Sequence, residues 1–199
     1  MRTISLALLA IVIVLGGSSL WLQGPLPLDV EVTKGVQRLI DARSPWIEWL
    51  AMTAGWPGIV VTTLVAAVFA ASLARLPGAV ALILGGMVAM ASERLLRMLI
   101  YVPRPSDATV EVARISASSG LPSTFAIFYG ALCGSLILLG GGKNGREGAA
   151  VRWAAGALLL VGCAGRVAAG GHWTSQTLAS AALGGLAAIL ALQLTGVRR

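Results

Sequence analysis

Charge is scarce in this chain: 12% of its 199 residues are Asp, Glu, Lys or Arg, against roughly a quarter in an ordinary soluble domain. That scarcity, with a mean hydropathy of +0.85, excludes a water-soluble globule and leaves lipid as the solvent for most of the chain. Histidine occurs once. Cysteine occurs twice, as Cys133 and Cys163, each inside an apolar run and without metal-ligand spacing, so both read as small packing residues. The sequence offers no carboxylate–histidine cluster to hold a metal, and neither a metal nor another cofactor is expected. It has no internal repeat and no low-complexity tail. The net charge of +7 would suit nucleic acid only if the basic residues clustered, and they lie scattered between apolar runs.

What is present is a succession of apolar segments: 4–22, 57–73, 77–100, 121–139, 151–169 and 177–194. A spanning helix needs about 20 such residues, so six spans with short connections nearly exhaust the length. The expected architecture is all-α: a single membrane domain over 1–199 with six transmembrane helices in one bundle. The first run is read as a retained span, because it is longer than the core of a cleavable signal peptide and lacks a clear small-x-small site. After it, Asp29, Glu31, Lys34 and Arg38 alternate with Val32, Val36, Leu39 and Ile40 at helical spacing. That spacing predicts an amphipathic interfacial helix, capped by Asp29.

Placing the loops on alternate sides puts Arg2, Arg75, Lys143, Arg146, Arg152, Arg198 and Arg199 together, offset only by Glu147. The positive-inside rule makes that side cytoplasmic, with both termini. The amphipathic helix, the 101–120 loop and the turn at His172 fall on the outer side. Trp21, Trp46, Trp49, Trp56 and Trp173 are then expected at the outer interface, where amphipathic indoles gather.

Charges inside spans are costly and are functional candidates by default. Glu93, Arg94, Arg97 and Arg166 qualify. Glu93 and Arg97 are one turn apart and can pair. Arg97 and Arg104 are two turns apart, Arg166 precedes His172 by six residues, and Pro122-Ser123-Thr124-Phe125 opens a spanning helix whose free amides favour an anion. Guanidiniums grip phosphate oxygens bidentately, and a histidine beside bound phosphate can attack it.

In these motifs the chain resembles the type 2 phosphatidic acid phosphatase family, relatives of vanadium haloperoxidases and glucose-6-phosphatase. The family's first block is Lys, six residues, Arg-Pro; Arg97, Arg104 and Pro105 match it with a basic substitution. Its second is Pro-Ser-Gly-His, matched by Pro122 and Ser123 but not by Thr124 and Phe125. Its third is Ser-Arg, five residues, His, three residues, Asp; Arg166 and His172 match, with Gly165 and Gln176 in the Ser and Asp places. The resemblance covers about 57–194.

It implies hydrolysis of a lipid phosphate or isoprenoid diphosphate at the outer face of a bacterial-type inner membrane, without metal. His172 would be the nucleophile, Arg97, Arg104 and Arg166 the phosphate clamp, and Ser123 an auxiliary donor. Phe125 cannot protonate a leaving oxygen as the family's histidine does, and Gln176 brings no charge to support His172. Reduced turnover is therefore expected, with diphosphates preferred, since general acid catalysis typically contributes about 10²–10⁴-fold. The alternative is a homologue that binds or transports a lipid-phosphate headgroup without cleaving it. The expected partners are lipids; the sequence does not set the oligomeric state.

Overall fold

A computed structural model of the protein describes residues 2–143 and 145–197. Arg198 and Arg199, counted above on the cytoplasmic side, lie outside the described residues. The described chain forms seven helices: α1 (Arg2–Leu22), α2 (Asp29–Leu39), α3 (Pro45–Met52), α4 (Gly58–Leu99), α5 (Thr124–Gly142), α6 (Arg146–Ala168) and α7 (Thr174–Leu194). Five of them, all but α2 and α3, are long and apolar enough to cross a membrane.

The 42 residues of α4 would measure about 63 Å if straight, twice the thickness of a hydrocarbon core. The backbone breaks at Ala74 (φ −140°, ψ 28°) and Arg75 (φ 55°, ψ −155°), two residues before Pro77, whose ring removes a backbone donor. The break falls on the connection expected at 74–76. Ala66, Ala67 and Ala70 before it and Ala81 and Leu82 after it enter one apolar core with Phe128 and Leu132 of α5, so the two arms fold back on each other. Lys143 Nζ donates to the Ser72 carbonyl at 3.2 Å, which places the α4 break and the α5–α6 turn at one end of the bundle.

Helix α5 is the centre, packed against α4, α6 and α7. Small residues bring it close to α7: a Cβ at Gly130 would run into the Ala181 backbone, and one at Gly184 into the Ile127 carbonyl. Around this centre α1 shows mostly lipid-facing side chains, among them Ile4, Leu6, Ile13 and Val14, and buries Gly16 and Ser19 on α7. Arg94 departs from the expectation for intramembrane charge: it is exposed on α4 near its Leu99 end, where a long side chain can reach the headgroup level.

Helix α2 turns a polar face toward the bundle. Asp29 and Thr33 are buried, while Val32 and Leu39 are exposed. Asp29 makes no side-chain cap within its own helix. Its carboxylate instead accepts from the Ser175 amide (2.9 Å) and hydroxyl (2.6 Å) at the start of α7, and from the Leu26 amide (2.8 Å). A buried anion at a helix N-terminus satisfies donors that have no intrahelical partner. Gln37 Nε2 donates to the Ala168 carbonyl (2.9 Å) and to the Glu111 carbonyl (2.7 Å), tying α2 to the end of α6 and to the loop between α4 and α5. Trp21, Trp46, Trp49 and Trp56 are exposed, but Trp173 is 2% exposed and belongs to the core.

Candidate active site

The residues singled out in the sequence collect at the end of the bundle opposite the Lys143–Ser72 contact. α6 ends at Ala168, Gly170 turns the chain with φ +63°, and α7 begins at Thr174. A Cβ at Gly170 would collide with the Glu111 carbonyl, so this turn requires glycine. The turn holds His172 inside, at 3% exposure.

His172 Nδ1 lies 2.7 Å from the Gly120 carbonyl, and Nε2 lies 3.4 Å from Arg104 Nη1. A carbonyl only accepts and a guanidinium only donates, so the neighbours assign one tautomer: Nδ1 carries the proton and Nε2 the lone pair. Burial first, then the charges of Arg104 and Arg166, push the imidazole pKa well below its ordinary value, against the opposing pull of the Gly120 hydrogen bond. The ring is neutral at pH 7.

Arg104 is fixed from the loop side. Its Nε donates to the Ser118 carbonyl (2.8 Å), Nη2 to the Ser118 hydroxyl (2.8 Å) and Nη1 to the Gly171 carbonyl (2.9 Å). Burial, with the charges of Arg166 and Arg97, lowers its pKa to about 10. Arg166 projects from the last turn of α6 beside Gly171, where an added Cβ would stand 2.7 Å from Nη2. Among the described residues its guanidinium has neither a hydrogen-bond acceptor nor an ionic partner.

Both arginines line a cleft of about 730 Å³ walled by the segment from Ala42 to Met52, by Ala113 to Ser116 of the loop, and by Ala169 and Gly171. Arg43 and Arg114 also line it, and Glu48 is the one carboxylate there, so four guanidiniums face one acid. Arg43 is partly engaged, 3.3 Å from Glu111. Arg43, Arg114 and the Gly120 carbonyl escaped sequence reasoning. The first two belong to no motif, and a backbone oxygen has no residue-type signature.

The remaining motif residues stand behind this pair. Arg97 donates to Glu93 (2.7 Å), to the Ser119 and Pro122 carbonyls (3.2 and 2.9 Å) and to the Thr124 hydroxyl (3.1 Å), so four of five guanidinium hydrogens have protein acceptors. Ser123 is fully buried; its hydroxyl caps α5 at the Ala126 amide (3.4 Å), and its own amide donates to Ser180 (2.8 Å). Phe125 stacks on Tyr129 with centroids 4.4 Å apart and presses against Gly162. Gly165, in the place of the third block's Ser, lies under Trp46: an added Cβ would come within 3.0 Å of the indole. Gln176, expected to reach His172, caps α7 at the Trp173 amide (3.1 Å) and donates to the Pro103 carbonyl (2.9 Å), while the Gly120 carbonyl orients the imidazole.

These helices define an all-α, multi-pass membrane protein with a cationic cleft at one end of its bundle. A profile of the PAP2 superfamily matches residues 76–199, more than half of the sequence, and the chain belongs to that superfamily. Its fold is similar to one described as the crystal structure of the first transmembrane PAP2 type phosphatidylglycerolphosphate phosphatase from Bacillus subtilis, with a TM-score of 0.73 and 16% identity over 98% of each chain. No curated protein matches it.

Proposed function

We propose that the protein is a membrane phosphatase that hydrolyses a lipid phosphate or isoprenoid diphosphate at the extracytoplasmic face through a phospho-histidine. The observation that carries this reading is His172 Nε2 3.4 Å from Arg104 Nη1, with Arg166 unpaired among the described residues in the cleft that both arginines line. Two guanidiniums remain charged at any physiological pH and neutralise the phosphate oxygens. The Nε2 lone pair attacks phosphorus, the P–O bond to the leaving group breaks, and water then hydrolyses the P–N bond, returning free imidazole and inorganic phosphate.

Phe125 offers no proton to the leaving oxygen, so an alkoxide departs slowly and a phosphate leaving group faster. Turnover is reduced relative to an enzyme with an acid at that place. In this reading the two arms of α4 are separate spans, giving six crossings with both termini cytoplasmic. The exposed Trp49, Trp56 and Ile115 around the cleft end then sit at headgroup level, where a lipid phosphate would present itself. A phosphate on a lipid is also what the name of the Bacillus subtilis protein describes for that protein's substrate.

The burial of His172 favours a second reading, in which the cleft holds a lipid-phosphate headgroup without cleaving it. One experiment separates the two: detergent-purified protein is given labelled isoprenoid diphosphate, and phosphate release is followed for wild type, His172→Ala and Arg166→Ala. Release abolished by His172→Ala supports the phosphatase. Binding that survives His172→Ala but not Arg166→Ala, with no release by wild type, supports the carrier.

A further inference from the structure

Arg97 stands where the family's first block has a lysine, yet it is turned into the protein. On one side Glu93, 5% exposed, accepts through a single oxygen from both Arg97 Nε and the Thr124 hydroxyl, each at 2.7 Å. On the other side the guanidinium fork reaches the carbonyls of Ser119 and Pro122. These two residues bracket Gly120, the residue whose carbonyl holds His172 Nδ1. The segment is also pinned from the loop: the Gly120 amide donates to the Val102 carbonyl at 2.7 Å, and the Ser119 hydroxyl donates to the Leu121 carbonyl at 2.6 Å.

We propose that Glu93 and Arg97 form a positioning pair that holds residues 119–124 so that the Gly120 carbonyl captures Nδ1–H of His172 and leaves the Nε2 lone pair toward Arg104, which lines the cleft. The inference rests on His172 being the reactive group of the proposed phosphatase. A planar fork with five donors can hold two carbonyls, a hydroxyl and a carboxylate at once; an ammonium on a flexible stem cannot reproduce that geometry. Glu93 fixes the rotation of the fork and neutralises its charge within a helix that faces lipid. Arg97 is thereby a positioning residue, and Arg104 and Arg166 are the guanidiniums left for the phosphate.

His172 is the sole histidine, so protein labelled with ¹⁵N-histidine reports one imidazole. Wild type should show a single Nδ1–H tautomer at neutral pH. Arg97→Lys should mix the tautomers and lower kcat about tenfold or more, while KM and inhibition by inorganic phosphate stay within about twofold. Glu93→Ala should reproduce that defect, and Glu93→Gln, which keeps the accepting oxygen, should largely rescue it. Thermal unfolding confirms which variants fold.

The proposal is overturned if Arg97→Lys or Glu93→Ala keeps the wild-type tautomer and kcat. It is equally overturned if Arg97→Ala weakens phosphate inhibition about tenfold with the tautomer unchanged, since Arg97 would then be a direct ligand. Absence of phosphate release by wild type would sink the phosphatase reading instead, and the imidazole spectra would still decide the role of the pair.

Discussion

The Gly120 carbonyl, 52 residues before His172 in the chain, accepts the imidazole Nδ1–H at 2.7 Å. A Cβ at Gly120 would stand 2.6 and 2.8 Å from the amide atoms of Gln176, which is itself held by two hydrogen bonds. Gly120→Ala should therefore displace the carbonyl and lower phosphate release about tenfold to a hundredfold. Gln176→Ala in the same chain removes the colliding amide, so the double variant should recover part of that loss. Initial rates of the two single variants and the double variant form a cycle whose coupling term is predicted to be favourable.

Arg104 and Arg166 should answer differently to truncation. Among the described residues Arg166 has no acceptor, so Arg166→Ala strands no partner there and should leave the unfolding temperature nearly unchanged. It should weaken inhibition by inorganic phosphate by about 10- to 100-fold, the worth of a charge-assisted contact. Arg104 also holds Ser118 and Gly171, and Arg104→Ala should lower both phosphate affinity and unfolding temperature. Phosphate inhibition measured beside thermal unfolding distinguishes the two patterns.

The pH dependence follows from the sign of the shifts. In the proposed mechanism attack needs neutral His172, and its pKa is depressed, so activity should persist as pH falls past the ordinary histidine value of about 6.5 and disappear only in more acid solution. Removing the Arg104 charge should move the acid limb of kcat/KM back toward neutrality. A pH–rate profile of wild type and Arg104→Gln tests the direction.

Phe125→His should raise turnover of a lipid monophosphate by about 10-fold or more and that of a diphosphate by less, because only the alkoxide needs a proton to leave. The imidazole would occupy the slot between Tyr129 and Gly162. The ratio of kcat on the two substrates is the measurement, and an unchanged ratio would refute the idea that the missing acid limits the reaction.

Much of the fold was legible because burial in lipid imposes long apolar runs. The break in α4 was marked by Arg75 and Pro77, and the turn after α6 by Gly170 and Gly171 beside Arg166 and His172. Contacts made by backbone atoms or by distant partners were not legible. Gly120 acts through its carbonyl, Asp29 caps a helix 146 residues away, and Gln176, which the family resemblance puts in the place of a histidine-supporting Asp, is drawn to Trp173 and Pro103. Spacing also placed Arg97 on the azimuth of Arg104, yet the polar atoms of Glu93, Ser119, Pro122 and Thr124 decide where its fork points.

The wall of the cleft from Ala42 to Met52 lies before residue 76, where the match to the superfamily begins. His172, Arg104 and Arg166 lie after it. In the proposed reading, part of the surface that would meet the headgroup thus comes from outside the superfamily match, while His172 and the two arginines beside it come from within. On that reading, substitutions at Arg43 or Glu48 would be expected to change which lipid is admitted more than the rate of the chemical step.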